Sequence, residues 1–213
     1  MKTLTPWTAH VAAALFLAAC ANAPQDAQEA TSTPDGAPAT PALSSTYTVN
    51  PEKSTVLWTG IMLGVKEHHG RLNVKEGSLA LVDGKVTGGK VVVDMTTIAP
   101  TDSAYTAEQT KEKLVKHLGS PDFFDVSTYP MASAVLKPGA DGEPMVELHI
   151  RDHAAMVPLR NVQINPQEGG LLEASAELTF NRKEFGVSFD MPMKDLVISN
   201  DVTLQVMISA LAN

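Results

Sequence analysis

From Tyr47 onward the chain repeats with a period of two, and that repeat limits its fold more than any other feature. In Glu173–Asn181 the residues Ala174, Ala176, Leu178 and Phe180 alternate with Glu173, Ser175, Glu177, Thr179 and Asn181. Successive side chains of a strand point to opposite faces, so this segment has one apolar and one polar face. The same alternation runs through Val146, Leu148 and Ile150, and through Val202, Leu204, Val206 and Ile208. Shorter strands are predicted at Tyr47–Val49, Ser54–Met62, His69–Val74, Ser78–Val82, Lys90–Met95, Ala132–Lys137 and Val157–Ile164. Turn signals separate them at Asn50-Pro51, Asp83-Gly84, Gly88-Gly89, Pro138-Gly139, Asp141-Gly142 and Gly169-Gly170. Many strands at short intervals predict an all-β sandwich or an antiparallel barrel.

One stretch breaks the period. Thr106 with Gln109 makes a capping box, Glu112 and Lys116 form an i,i+4 pair, and Gly119 with Pro121 supplies a stop. The spacing predicts a helix over Ala107–Leu118 whose apolar face is Leu114, Val115 and Leu118. Phe123 and Phe124 follow, placed to pin the helix onto the sheet.

Ahead of the strands lie two segments of another character. Val11–Ala19 is an unbroken apolar run after Lys2, too short to span a bilayer, which takes about 20 apolar residues. It ends in Leu17, Ala18, Ala19 and Cys20, the single cysteine of the 213 residues. This N-terminus resembles the lipobox of bacterial lipoproteins. The resemblance implies that residues 1–19 are a signal peptide removed in the mature chain. It also implies that Cys20 carries a membrane-anchoring lipid, and that Ala21 directs the protein to the outer membrane, facing the periplasm of the cell envelope. Residues 20–45 are mostly Ala, Pro, Thr, Ser, Gln, Asp and Glu, with Leu43 the one large apolar side chain. They cannot bury enough apolar surface to offset ordering entropy and are predicted to be a disordered tether. Residues 46–213 remain as one folded domain.

Without residues 1–19 the chain has 15 basic and 24 acidic side chains, a net charge of −9. That balance argues against nucleic acid as a partner, because phosphate binding needs clustered Lys and Arg. With Cys20 alone, no intrachain disulfide can form, and stability rests on a packed core. No Gly-x-Ser-x-Gly elbow, His-Glu-x-x-His, phosphate loop or paired-cysteine motif occurs. His68 and His69 are adjacent, so on a strand they point to opposite faces and cannot share one metal without a bulge. A composite metal site from His69, His117 and Asp122 is conceivable by residue type, but the spacing is not diagnostic, and surface or loop histidines are the simpler expectation. Asp94, after Val91–Val93, is expected to cap a turn or pair with a lysine.

Several motifs in order carry a family resemblance. Thr55–Gly60 with its Trp58, His68–Gly70, Gly88–Met95, Lys116–Phe124 followed by Tyr129 and Pro130, Asn181–Gly186, and Asp201–Leu204 resemble the YceI family of lipocalin-like, polyisoprenoid-binding domains. One segment departs from the family pattern: Val146–Met156 lacks the usual glycine at its hairpin turn and has the Asp152-His153 region there. Asp tolerates the left-handed conformation, so the hairpin is expected to persist with an altered loop. The resemblance implies an extended eight-stranded antiparallel barrel with one short helix and a long apolar pocket. Trp58, Gly60, Ala174, Ala176, Leu178 and Phe180 are its candidate wall residues. The absence of clustered acid, base and nucleophile candidates favours a non-enzymatic binding protein with no cofactor beyond a bound isoprenoid lipid of the quinone or polyprenyl type. The alternatives are a metal-dependent or redox protein using His69, His117 or Asp94, and a protein-contact module of the envelope.

Overall fold

The computed structural model describes residues 43–63, 66–139, 142–189 and 197–213. The signal segment 1–19, Cys20 and most of the proposed tether lie outside the described residues. Among the described residues there are ten strands: β1 (Ser44–Val49), β2 (Thr55–Leu63), β3 (Lys66–Val82), β4 (Lys85–Pro100), β5 (Met131–Pro138), β6 (Pro144–Ile150), β7 (His153–Pro158), β8 (Arg160–Pro166), β9 (Leu171–Asn181) and β10 (Val197–Ala212). One α-helix, α1 (Lys111–Leu118), lies between β4 and β5. β1 starts at Ser44, inside the stretch read as tether, because its backbone pairs with the end of β3 in the register Ser44↔Val82.

The ten strands make the eight staves of the expected barrel, since two staves are each broken in two. β1 and β2 lie end to end between β3 and β10, separated by the 3-10 turn Pro51–Lys53, which Asn50 caps through its side chain. β7 pairs with β6 and β8 pairs with β9, so this second broken stave closes the sheet. The segment Val157–Ile164, expected as one strand, breaks at Leu159. Leu159 is buried, and just beyond it Asn161 takes a φ of 50° where the pairing with β9 shifts register.

Three other expectations need correction. The segments His69–Val74 and Ser78–Val82 are one continuous strand, because an irregularity at Lys75 absorbs the extra residue without ending the ladder. Gly88 and Gly89 do not turn; they pair with Ala80 and Leu79 inside β4. The hairpin between β3 and β4 turns instead at Asp83 and Gly84, whose φ angles of 49° and 75° suit a two-residue primed turn. The helix starts later than expected. Thr106 does accept the Gln109 amide, but that bond closes a separate turn, and the helix is capped by Thr110, which accepts the Lys113 amide.

At the β6–β7 hairpin the left-handed residue is Arg151, with a φ of 56°, rather than Asp152. Arg151 Nη1 donates to Phe123 O at 3.2 Å and Gly186 O at 2.9 Å, tying the turn to the loop after α1 and to the segment after β9. These loops and α1 all gather at one end of the barrel. There Arg182, fully buried, donates to Val187 O, Phe189 O and Ser199 O.

Trp58 on β2 pairs with Gly70 on β3, and its ring lies over that glycine. A Cβ at Gly70 would sit 2.5 Å from Ala99 O and 2.6 Å from the Trp58 ring. A Cβ at Gly60, on the same face two residues along β2, would meet no atom within 4 Å. Gly70→Ala is therefore expected to cost on the order of 1–3 kcal/mol through overpacking. Gly60→Ala should be neutral, or stabilising by up to about 1 kcal/mol, since it restricts only the unfolded chain. Denaturant midpoints of the two variants check this contrast.

Candidate functional site

Inside the barrel is a cavity of about 920 Å³, at the upper end of the range of about 300–1,000 Å³ typical of small-molecule sites. Its walls are the inward faces of the strands, and strand register sorts the wall into rows. His68, Gly60, Val202 and Phe180 form one row across β3, β2, β10 and β9. Gly70, Trp58, Leu204 and Leu178 form the next, and Leu72, Val56, Val206 and Ala176 the third, with Ala174 opposite Ile208 beyond it. All six expected wall residues, Trp58, Gly60, Ala174, Ala176, Leu178 and Phe180, line the cavity.

Where the row residues are small the barrel stays hollow. Ala174 and Ala176 on β9 and Ala132 and Ala134 on β5 line the cavity, with Gly60 opening its helix end. Along β3 the lining runs from Lys66 to Leu79, which at about 3.3 Å per residue is roughly 43 Å of strand, or some 30–35 Å along the axis of a barrel tilted 35–45°. The site is therefore long as well as large. Phe123 and Phe124 both pin α1 and line the cavity. Phe123 packs edge-on to His117 and also meets Phe189.

The helix end of the cavity is polar. His68, the inward member of the His68-His69 pair, hydrogen-bonds through Nδ1 to Asp102 at 3.2 Å. Asp102 also accepts from Tyr105 Oη at 2.9 Å, from the Ala104 amide at 3.1 Å and from the His69 amide at 3.3 Å. The Asp102 side chain is 4% exposed. Burial pushes its pKa up, but the hydrogen bonds from Ala104, Tyr105, His68 and His69 outweigh that and hold it below its ordinary 3.8. Burial, followed by the hydrogen bond to Asp102 and its negative charge, raises Tyr105 to about 12. Because the carboxylate is ionised and only accepts, Nδ1 of His68 carries the proton and donates. The His68 and Tyr105 rings stack 5.5 Å apart, and both line the cavity.

The residues weighed for a metal site are not brought together. His69 points outward beside Glu67, 3.7 Å away, while His117 is held between Phe123 and Phe189. Asp94 accepts from the amide and hydroxyl of Thr96, as a turn cap does. Among the described residues, no group of three His, Cys, Asp or Glu side chains is placed to hold a metal ion. The reading from residues alone singled out His69 and passed over His68, Asp102 and Tyr105. The signal for His68 was present, since it shares the period-two face of Gly70, Leu72 and Val74. Nothing in the spacing of Asp102 and Tyr105, which lie in a loop, marks them as its partners.

Fold and cavity define a lipocalin-like barrel. The model of the YceI-like domain matches residues 47–210, and the chain belongs to that family. Its fold is similar to that of BcnA from Burkholderia cenocepacia, at 19% identity and a TM-score of 0.55, over 76% of this chain and 98% of that one. It is also similar to a polyisoprenoid binding domain from Saccharophagus degradans implicated in plant cell wall breakdown, at 10% identity and a TM-score of 0.57, over 78% and 98% of the two chains. No curated protein matches the sequence.

The depressed pKa of Asp102 makes a stability prediction with a definite sign. A carboxyl held below its unfolded value stabilises the fold above that value and loses the contribution as pH falls through the folded one. The stability gap between the wild type and Asp102→Asn should be full at neutral pH, shrink below about 3.8 and close further down. Denaturant titrations of both proteins between pH 7 and pH 2 measure it.

Proposed function

We propose that this protein binds and carries an amphipathic isoprenoid lipid, of the quinone or polyprenyl type, in the barrel cavity, and that it does so without catalysis. The observation that carries the reading is the long apolar cavity of about 920 Å³. Burying apolar surface is favourable by about 25 cal/mol per Å², so 300 Å² of chain would contribute ~7 kcal/mol before association costs. Membership of the YceI-like family and the likeness to a polyisoprenoid binding domain support an isoprenoid over other tails. Among the described residues His68 is hydrogen-bonded to Asp102 and to no hydroxyl or thiol, which favours binding over nucleophilic chemistry.

The same reading places the protein in the bacterial envelope, held at the outer membrane by a lipid on Cys20, with the residues between Cys20 and the start of β1 as the tether. The anchor keeps the barrel near a source of isoprenoid lipid. Cys20→Ser should turn a membrane-pelleted protein into a soluble or unprocessed one, read by fractionation. A fully processed variant that still pellets with membranes would contradict the anchor.

With residues 1–19 removed, Trp58 is the remaining one of the two tryptophans, so fluorescence reports on the cavity wall alone. Titrating the delipidated protein with a quinone or polyprenyl analogue should change that fluorescence saturably. Ala176→Phe and Gly60→Leu, which fill the cavity from two rows, should each weaken binding about tenfold or more, a loss of ~1.4 kcal/mol or greater. Absence of saturable binding by any isoprenoid would leave the protein-contact role as the better reading.

A further inference from the structure

The carrier reading leaves open which head group the lipid bears, and the hydrogen bonds at the helix end of the cavity restrict it. Asp102 uses its oxygens to take the Nδ1 proton of His68 and the hydroxyl proton of Tyr105. With an uncharged imidazole, His68 keeps a lone pair at Nε2, which has no hydrogen-bond partner among the described residues, and Tyr105 keeps lone pairs on Oη; both residues line the cavity. Gly60 stands directly opposite His68 in the ladder and leaves the space beside it empty. Of the cations that line the cavity at this end, Lys66 donates to Gln109 Oε1 at 2.8 Å, Lys113 to Glu108 O at 2.7 Å, and Arg182 to the carbonyls of Val187, Phe189 and Ser199.

We propose that the lipid carries an uncharged hydroxyl head group, an alcohol or a phenol, which donates its hydrogen bond to His68 Nε2 with Tyr105 Oη as the neighbouring acceptor. The inference rests on the carrier reading and narrows it to a hydroxyl-bearing isoprenoid, against a quinone. A carbonyl or ether oxygen has no hydrogen to give to either acceptor. A phosphate brings negative charge and further acceptors up to the Asp102 carboxylate. A hydroxyl supplies the donor these atoms lack.

The test titrates the lipid-free full-length protein with four probes of equal chain length: geranylgeraniol, its methyl ether, geranylgeranyl phosphate and a phenol bearing the same chain. The alcohol or the phenol should bind about five- to a hundredfold tighter than the ether, the factor that follows from leaving a buried acceptor unsatisfied. Which of the two binds tighter identifies the natural class. His68→Phe keeps a stacked ring and removes Nε2, so it should bring the preference to within about twofold, with ether binding unchanged as proof of an intact barrel. Tyr105→Phe, which deletes one oxygen, should lower the preference by about threefold. Ether or phosphate binding as tight as the alcohol, or a preference that survives in His68→Phe, overturns the hydroxyl assignment while leaving the carrier reading standing. Failure of all four probes to bind overturns both.

Discussion

The size of the inward side chains decides whether a barrel of eight staves is solid or hollow. Here the deciding positions are Gly60 on β2, Ala132 and Ala134 on β5, and Ala174 and Ala176 on β9, all of which line the cavity. The large side chains that hold the barrel together sit elsewhere in the rows. Trp58 is laid against Gly70, and Phe180 against Phe185, which is fully buried below it. Stability comes from these dense contacts and from the ladders. The hollow follows from placing alanine and glycine where a larger residue would complete the core.

The second determinant is the Asp102 carboxylate at the helix end, whose side chain is 4% exposed. Asp102 orders a loop outside any strand by accepting from Ala104, and it joins that loop to β3 through His68 and the His69 amide. The same bonds orient two rings lining a mostly apolar cavity. An apolar tunnel binds tails of many kinds, and discrimination between ligands rests on a few placed polar groups. In this chain those groups are concentrated where the barrel end is also tied together by Arg151 and Arg182.

The barrel and its wall were legible in the sequence because both depend on a period-two pattern, which is local. Glu173–Asn181 alone fixes which side chains face inward, and Ala174, Ala176, Leu178 and Phe180 line the cavity as that pattern requires. What escaped depends on contacts distant in the chain. The break at Leu159 arises because one stave must pair with β6 on one side and β9 on the other to close the sheet. The start of α1 moved because Thr106 and Thr110 are both able caps, and only the surrounding structure selects between them. The left-handed turn fell on Arg151 because its guanidinium gains two carbonyl partners on other loops. His68 could have been read from the face it shares with Leu72 and Val74. Its coupling to Asp102 and Tyr105, 34 and 37 residues away, could not.

The central claim is that the cavity holds one long apolar chain with a polar end. Its most direct test is mass spectrometry of the organic extract from the protein purified gently from its own cells, with the lipid quantified against protein. The account predicts near-stoichiometric recovery of one isoprenoid class, and a matching loss of that lipid from the Ala176→Phe variant. An extract that holds only bulk membrane lipid in both proteins would contradict it.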